Sequence, residues 1–120
     1  MLDPEDIEDA FVPAVRPEVV WEELDDEVVI YNGTTKSLHV LDPIASAVWG
    51  CFDGCRDIHA VAVRLADAFL ADLAVVKSDV LDIIRVLGRQ GLLVGVRADP
   101  DTVRESRVVA VAGREAQMEH

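Results

Sequence analysis

The sequence predicts an α+β domain in which a three-stranded antiparallel meander is followed by three helices. The first half of the chain contains short segments rich in β-branched and aromatic residues, separated by turn residues. From Asp42 onward the apolar residues recur instead at helical spacing, in stretches that begin at capping residues. This change of period predicts strands first and helices second.

Three short segments have the composition of strands. Val19–Leu24 and Glu27–Asn32 are rich in β-branched and aromatic residues, and only Asp25-Asp26, a plausible tight turn, separates them. Asn32-Gly33 begins a second turn, which leads into the third segment, Ser37–Leu41. Strands joined by turns this short pair in antiparallel fashion, so the sequence predicts a meander.

Capping residues mark the helices. The first is predicted over Pro43–Phe52, because Asp42 can cap its free N–H groups and proline is favoured at the first helical position. A second helix follows Asp57, another good capping residue. A third is predicted to start at Ser78 and to end at Gly91, although the boundary between the second and third helices contains neither glycine nor proline.

The two ends of the chain differ from the predicted domain, which spans residues 18–97. Residues 1–17 are acidic and contain three prolines, so we expect a flexible or peripheral arm. LLVGVR, after Gly91, is compatible with another strand. Within the extension 98–120, RVVAVA fits a short strand or part of an interface, and such a strand could pair across a homodimer. The tail from Gly113 is expected to be loose.

The composition excludes several classes of partner. The chain has 120 residues and 51% hydrophobic residues, so it is long enough for one domain with a genuine core. Its formal net charge is −12, a balance that disfavours phosphate backbones and anionic membranes as partners.

 The chain has two lysines, Lys36 and Lys77, and its 11 Lys and Arg residues are outnumbered by 23 Asp and Glu. Nucleic-acid binding needs clustered basic residues, so this composition disfavours it.

The same composition indicates where the protein works. The N-terminus is acidic and lacks a basic region followed by an apolar run, so it does not read as a secretion signal. The most apolar region, 60–76, is interrupted by Arg64, Asp67 and Asp72, which argues against a membrane span. The two cysteines then read as thiols of a cytoplasmic protein.

No catalytic or metal centre can be assembled from the sequence. Cys51, Cys55 and His59 have C-x3-C-x3-H spacing, but structural zinc sites want four ligands, so free thiols and a surface histidine are the favoured interpretation. His39 is interpreted as a strand side chain rather than a catalytic base, and Trp49 as a core anchor. We therefore expect a protein that is not an enzyme and that uses no cofactor or metal.

The order of elements resembles the PqqD-like family, also called RiPP recognition elements, which bind the leader peptides of ribosomally made precursor peptides. The resemblance covers about Val19 to Val94 and depends on four stretches: RPEVVWEEL, EVVIYNGTTKSLHVLDPIASAVWGCFDG, DIHAVAVRLADAF and LDIIRVLGRQGLLV. In that family a strand precedes a small apolar helix with Trp and then Asp-Gly, and a leucine-rich helix precedes Gly-Leu-Leu. The order and spacing together carry the resemblance.

The resemblance implies a winged helix-turn-helix-like fold and a site at the edge of the third strand. The leader would add there as an extra strand, against the third helix, which is a recognised mode of peptide binding. The implied peptide-binding residues are Ser37, Leu38, His39, Val40, Leu41, Val80, Ile83, Ile84 and Leu87. The implied partners are a precursor leader peptide and a modifying enzyme such as a radical-SAM protein, a cyclase or a peptidase.

Two other functions stay open at this point. A winged-helix DNA-binding regulator has a related architecture, although the net charge opposes it. A small zinc or redox protein would use the cysteines and histidine described above. The acidic residues of the arm are interpreted as a solvated segment or as a contact for a basic patch on a partner enzyme.

Overall fold

The computed structural model describes residues 1–25 and 27–99 in full and the backbone of 108–111. These residues form four strands: β1 (Val19–Leu24), β2 (Glu27–Asn32), β3 (Ser37–Leu41) and β4 (Val108–Val111). The described residues between β3 and β4 form three α-helices: α1 (Pro43–Gly50), α2 (Ile58–Phe69) and α3 (Leu73–Arg89). The predicted meander followed by three helices is confirmed, with β4 as an addition.

The strands form one sheet in the order β1-β2-β3-β4. Leu24 pairs with Glu27 across the first turn, where Asp25 has a φ of 57°. Asn32 pairs with Ser37 across the second turn, and its side-chain oxygen accepts the N–H of Thr34 at 2.9 Å. Both connections are therefore tight hairpins, as the turn residues predict.

An aspartate caps each helix. Asp42 accepts the N–H of Ala45 at 2.8 Å, and Asp57 accepts the N–H of Ala60 at the same distance, so the first two predicted starts are confirmed. The predicted start of α3 at Ser78 is wrong, because Asp72 caps the helix and its first residue, Leu73, lies five residues before Ser78. A short α2–α3 connection is closed by Leu70, which is left-handed with a φ of 53°.

The core lies between the inner face of the sheet and the three helices. Its fully buried side chains come from every layer: the sheet contributes Val28, Ile30 and Leu41, and the helices contribute Val48, Ile58, Val61, Ile84 and Leu87. Burying apolar side chains of this size stabilises the fold by about 1.5–3 kcal/mol each. The Val, Leu and Ile content, rather than aromatic residues, supplies most of this volume.

The N-terminal segment is packed on this core, and the expectation of a flexible arm is corrected accordingly. Ile7 is 0% exposed, and Leu2 pairs with Val96 as a single β-bridge. Arg16 donates from Nε to the Leu93 carbonyl at 2.8 Å. The acidic composition concealed these apolar anchors, whose burial outweighs the cost of ordering the segment.

Ion pairs reinforce the same contact. Lys77 on α3 lies 2.9 Å from a carboxylate oxygen of Asp9, and Arg89 lies 3.3 Å from Glu5. Each pair is partly exposed, so each contributes little on its own. The acidic residues of the segment nevertheless face basic groups of this same chain, in addition to solvent.

The residues after α3 do not form the additional strand that LLVGVR suggested. Leu93 and Val96 each make one isolated bridge, to Val15 and Leu2, and Gly95 between them has a φ of 77°. The turn at Gly95 prevents a continuous ladder. The predicted C-terminal strand is present as β4, and the predicted loose tail from Gly113 lies outside the described residues.

Candidate functional site

The hydrogen bonds of Ser46, on α1, show which backbone N–H and C=O groups of β3 face β2. The Ser46 hydroxyl accepts the N–H of Val28 at 2.8 Å and donates to the carbonyl of Leu41 at 3.2 Å. Val28 and Leu41 are partners in the β2–β3 register, so this hydroxyl bridges the end of the ladder. Leu41 therefore directs its backbone polar groups toward β2.

Alternation along the strand then defines its outer edge. Because successive residues point their N–H and C=O groups to opposite sides, Ser37 and His39 also face β2. Leu38 and Val40 direct theirs away from β2, toward the next position in the sheet. These two residues supply the backbone groups that a further strand would pair with.

That position is occupied by β4. The strand runs parallel to β3, with Leu38 opposite Val108 and Leu41 opposite Val111. Its backbone also approaches α3. The edge of β3 that was predicted to be open is thus covered by the chain's own C-terminal strand, which contacts both β3 and α3.

The side chains predicted for the site divide between the two faces of the sheet and the core. Ser37, His39 and Leu41 are buried on the inner face, while Leu38 and Val40 are half-buried on the other. The four predicted α3 side chains are all buried in the core cluster: Val80, Ile83, Ile84 and Leu87. β4 lies against both β3 and α3, and the α3 stripe itself is primarily core.

His39 is the one titratable side chain of this strand, and it is 0% exposed. Its Nε2 lies 2.8 Å from the Ser37 hydroxyl, and among the described residues its Nδ1 has no hydrogen-bond partner. Desolvation lowers the pKa of His39 to about 4. The ring is therefore neutral at physiological pH, as befits a strand side chain inside the core.

A second concave surface lies between the helices and was missed in the sequence. It is an apolar cavity of about 340 Å³ lined mainly by Ile44, Val48, Leu65, Phe69, Val76, Val80 and Ile83. Phe69 is 57% exposed at its mouth. Phe69 belongs to the apolar pattern of α2, but such a pattern cannot distinguish a residue of the core from one at the rim of a cavity.

The aromatic residues support the scaffold. Trp49 is buried, as predicted, and its ring meets that of Trp21 edge-on at a centroid distance of 5.5 Å. Trp21 itself is 50% exposed. This contact fastens the C-terminal end of α1 to the outer strand β1.

The cysteines do not form a metal centre within the described part of the chain. Cys51 is buried and Cys55 is exposed, and both are free thiols. Burial raises the pKa of Cys51, while the backbone N–H groups of Arg56 and Cys55 hold the pKa of Asp53 below its usual value. Across residues 1–25 and 27–99, no three His, Cys, Asp or Glu side chains are grouped to hold a metal ion.

Comparisons with known proteins place this geometry in context. Residues 27–93 match the family model described as Coenzyme PQQ synthesis protein D (PqqD). A solved structure, TbiB1 in complex with the TbiA(beta) leader peptide, is similar with a TM-score of 0.63 and 26% sequence identity, covering 68% of this chain and 94% of that chain. No curated protein matches the sequence. Within the described residues, no helix is both long and apolar enough to cross a bilayer.

Proposed function

The chain belongs to the PqqD family, and from this premise we propose that it is a non-catalytic adaptor for a precursor peptide. It binds the leader segment of a ribosomally made precursor by strand addition and presents the remainder to a modifying enzyme. The observation that carries the proposal is the similarity to TbiB1, a chain that is matched over 94% of its length and holds a leader peptide.

The position of β3 supports strand addition as the mode of binding. Leu38 and Val40 direct two sets of backbone groups to the outer edge, and a peptide placed there would lie beside α3. Main-chain hydrogen bonds at such an edge give affinity without reading sequence, and side-chain pockets beside it give specificity. Both β3 and α3 lie inside the region that matches the family model.

The partner enzyme belongs to the class that modifies or cleaves such precursors, such as a radical-SAM protein, a cyclase or a peptidase. The adaptor itself needs no catalytic group for this role, since its contribution is to raise the local concentration of the substrate at the enzyme. The buried, neutral His39 has no solvent-facing position from which to act as a general base.

A peptide titration tests the proposal. A fluorescently labelled copy of the N-terminal segment of the cognate precursor, to be sought among the neighbouring genes, should give saturable anisotropy at micromolar protein. The TbiA(beta) leader serves as a non-cognate comparison. Absence of saturable binding by the cognate segment at tens of micromolar would contradict the proposed function.

Amide NMR then locates the peptide. Shift changes on titration should concentrate on Leu38–Leu41, and the amides of Trp21 and Glu23 on β1 provide the internal control. β1 forms the opposite edge of the same sheet. Changes confined to β1 would show that the peptide binds at the wrong edge for this proposal.

A further inference from the structure

The C-terminal strand lies where the proposed ligand would bind. β4 pairs with β3 over four residues and approaches α3, so it fills the position between these two elements. β1 leaves the other edge of the sheet without a neighbouring strand among the described residues. The chain therefore covers one of its two sheet edges, and it covers the one assigned to the peptide.

The register identifies the residue of β4 that makes this contact. Val109 lies opposite His39, whose backbone groups face β2. In a parallel ladder a residue forms its hydrogen bonds with the two residues that flank its opposite number, here the residues on either side of His39. Val109 therefore directs its N–H to the Leu38 carbonyl and its C=O to the Val40 N–H. Ala110, the next residue, directs its own N–H away from β3.

We propose that β4 is an internal competitor that closes the peptide-binding edge, and that a leader peptide gains the edge only when β4 leaves. The identity of the competing peptide rests on the proposed function; the occupation of the edge by β4 does not. β4 and the leader peptide exclude one another, because Leu38 and Val40 each have only one N–H and one C=O that face the outer edge.

The strength of the competition is set by two opposing features. β4 is tethered to the same chain, which gives it a high effective concentration at the edge. It is also only four residues long and parallel to its partner, a pairing slightly less stable per residue than an antiparallel one. A tethered but short strand suits a device that closes the edge and still opens for a ligand.

Two proline variants of the full chain test the strand. Val109→Pro removes the N–H that faces Leu38, whereas Ala110→Pro, the matched control, removes an N–H that faces away from β3. Hydrogen exchange at the Val40 amide should be slow in the unaltered protein and in Ala110→Pro, and faster in Val109→Pro. Far-UV circular dichroism checks that all three proteins keep the same helical content.

A peptide added in trans measures whether the edge has opened. The probe is a labelled peptide copying residues 104–113 of this chain, RESRVVAVAG. It should bind Val109→Pro at least tenfold more tightly than the unaltered protein, because an open state populated at about 10% reduces apparent affinity about tenfold. Equal binding of the probe by Val109→Pro and the unaltered protein would show that β4 does not occupy the edge. Fast hydrogen exchange at the Val40 amide of the unaltered protein would show the same.

Titration of both proteins with the cognate leader distinguishes a failure of this inference from a failure of the proposed function. If both hold, the leader binds Val109→Pro about tenfold more tightly than the unaltered protein and displaces the labelled RESRVVAVAG probe. If the leader binds both proteins equally, competition is overturned while the adaptor function stands. If the leader binds neither protein while the probe distinguishes them, the adaptor function fails and the closed edge stands.

Discussion

Gly88 on α3 lies directly against Val96 in the segment that follows the helix. A Cβ added at Gly88 would lie 2.7 Å from Cγ1 of Val96 and 3.7 Å from Cδ1 of Ile7. Real Cβ atoms do not approach other atoms as closely as the first distance. The absence of a side chain at Gly88 therefore lets both the N-terminal segment and the segment after α3 pack onto this helix.

We predict that Gly88→Ala lowers the free energy of unfolding by about 1–3 kcal/mol, since overpacking forces neighbouring side chains or backbone to shift. Urea denaturation measures the change. Gly50→Ala is the control, because a Cβ there meets nothing within 4 Å and the higher helix propensity of alanine should leave stability unchanged or raise it.

A double variant tests the cause of the Gly88 effect. Val96→Ala removes the methyl group that the new Cβ would strike, although it also leaves a cavity. The loss in Gly88→Ala/Val96→Ala should therefore be smaller than the sum of the two single losses by about 0.5 kcal/mol or more. Strict additivity would show that the contact with Val96 is not the source of the strain.

The Ser46 hydroxyl is predicted to contribute to stability as a bridge in the sheet. Ser46→Ala leaves the buried N–H of Val28 and the carbonyl of Leu41 without this partner, which costs about 1–3 kcal/mol. Thermal and urea unfolding measure the loss. Thr34→Ala removes an exposed hydroxyl from the β2–β3 turn and should change stability by less than about 0.5 kcal/mol; an equal loss in both variants would contradict the role of the bridge.

The local part of the fold was predictable because local chemistry determines it. Asp42 and Pro43 mark the start of α1 by side-chain capping and a fixed φ, and both act within one turn of the chain. The start of α3 was not predictable in the same way. Leu70 ends α2 in a left-handed conformation that is usually adopted by glycine, so the end of α2 has no ordinary signal, and Asp72, the cap of α3, looks like a polar residue inside one continuous helix.

The site was predictable as a strand but not as an occupied edge. The segment Ser37–Leu41 has the composition and flanking turns of a strand, which are local properties. The pairing of β3 with β4 joins residues about seventy positions apart in a parallel arrangement, and no local pattern encodes such a partner. The burial of Ile7 was hidden for the same reason, since it packs beside Gly88 and Arg85 on α3, which are about eighty positions away in the sequence.

Arg16 is predicted to hold the N-terminal segment in place. Its Nε and Nη2 donate to the carbonyls of Leu93 and Val96 at 2.8 and 2.6 Å. Arg16→Lys keeps the charge but loses this two-pronged geometry, and we expect a loss of about 1–2 kcal/mol in the free energy of unfolding. Arg56→Lys is the control, because Arg56 makes a partly exposed ion pair with Asp53.

The Arg16 prediction also has a local readout. Limited proteolysis of residues 1–17 should become faster in Arg16→Lys than in Arg56→Lys, since the first variant loosens the attachment of this segment. A surface ion pair contributes at most about 1 kcal/mol, so the control should unfold close to the unaltered protein. Equal proteolysis of the two variants would show that Arg16 does not fasten the segment.

Burial of His39 predicts that stability depends on pH. Its pKa is about 4 in the folded protein, against about 6.5 in an unfolded chain. Between these values the unfolded state binds a proton that the folded state does not, so the free energy of unfolding rises with pH and falls on acidification. The full shift corresponds to roughly 3 kcal/mol, of which most is lost between pH 6.5 and pH 4.

Urea unfolding at a series of pH values from 5 to 7 measures this dependence above the ordinary range of carboxylates. His39→Gln removes the titrating ring and should flatten the profile, whereas His59→Gln, at an exposed position, should keep the slope that His39 causes. NMR titration of the imidazole protons provides a readout that does not require a stable variant, because the His39 resonance should stay in its neutral form at pH 5. A His39 resonance that titrates near pH 6.5 would contradict the burial argument, since an imidazole that water reaches keeps its ordinary pKa.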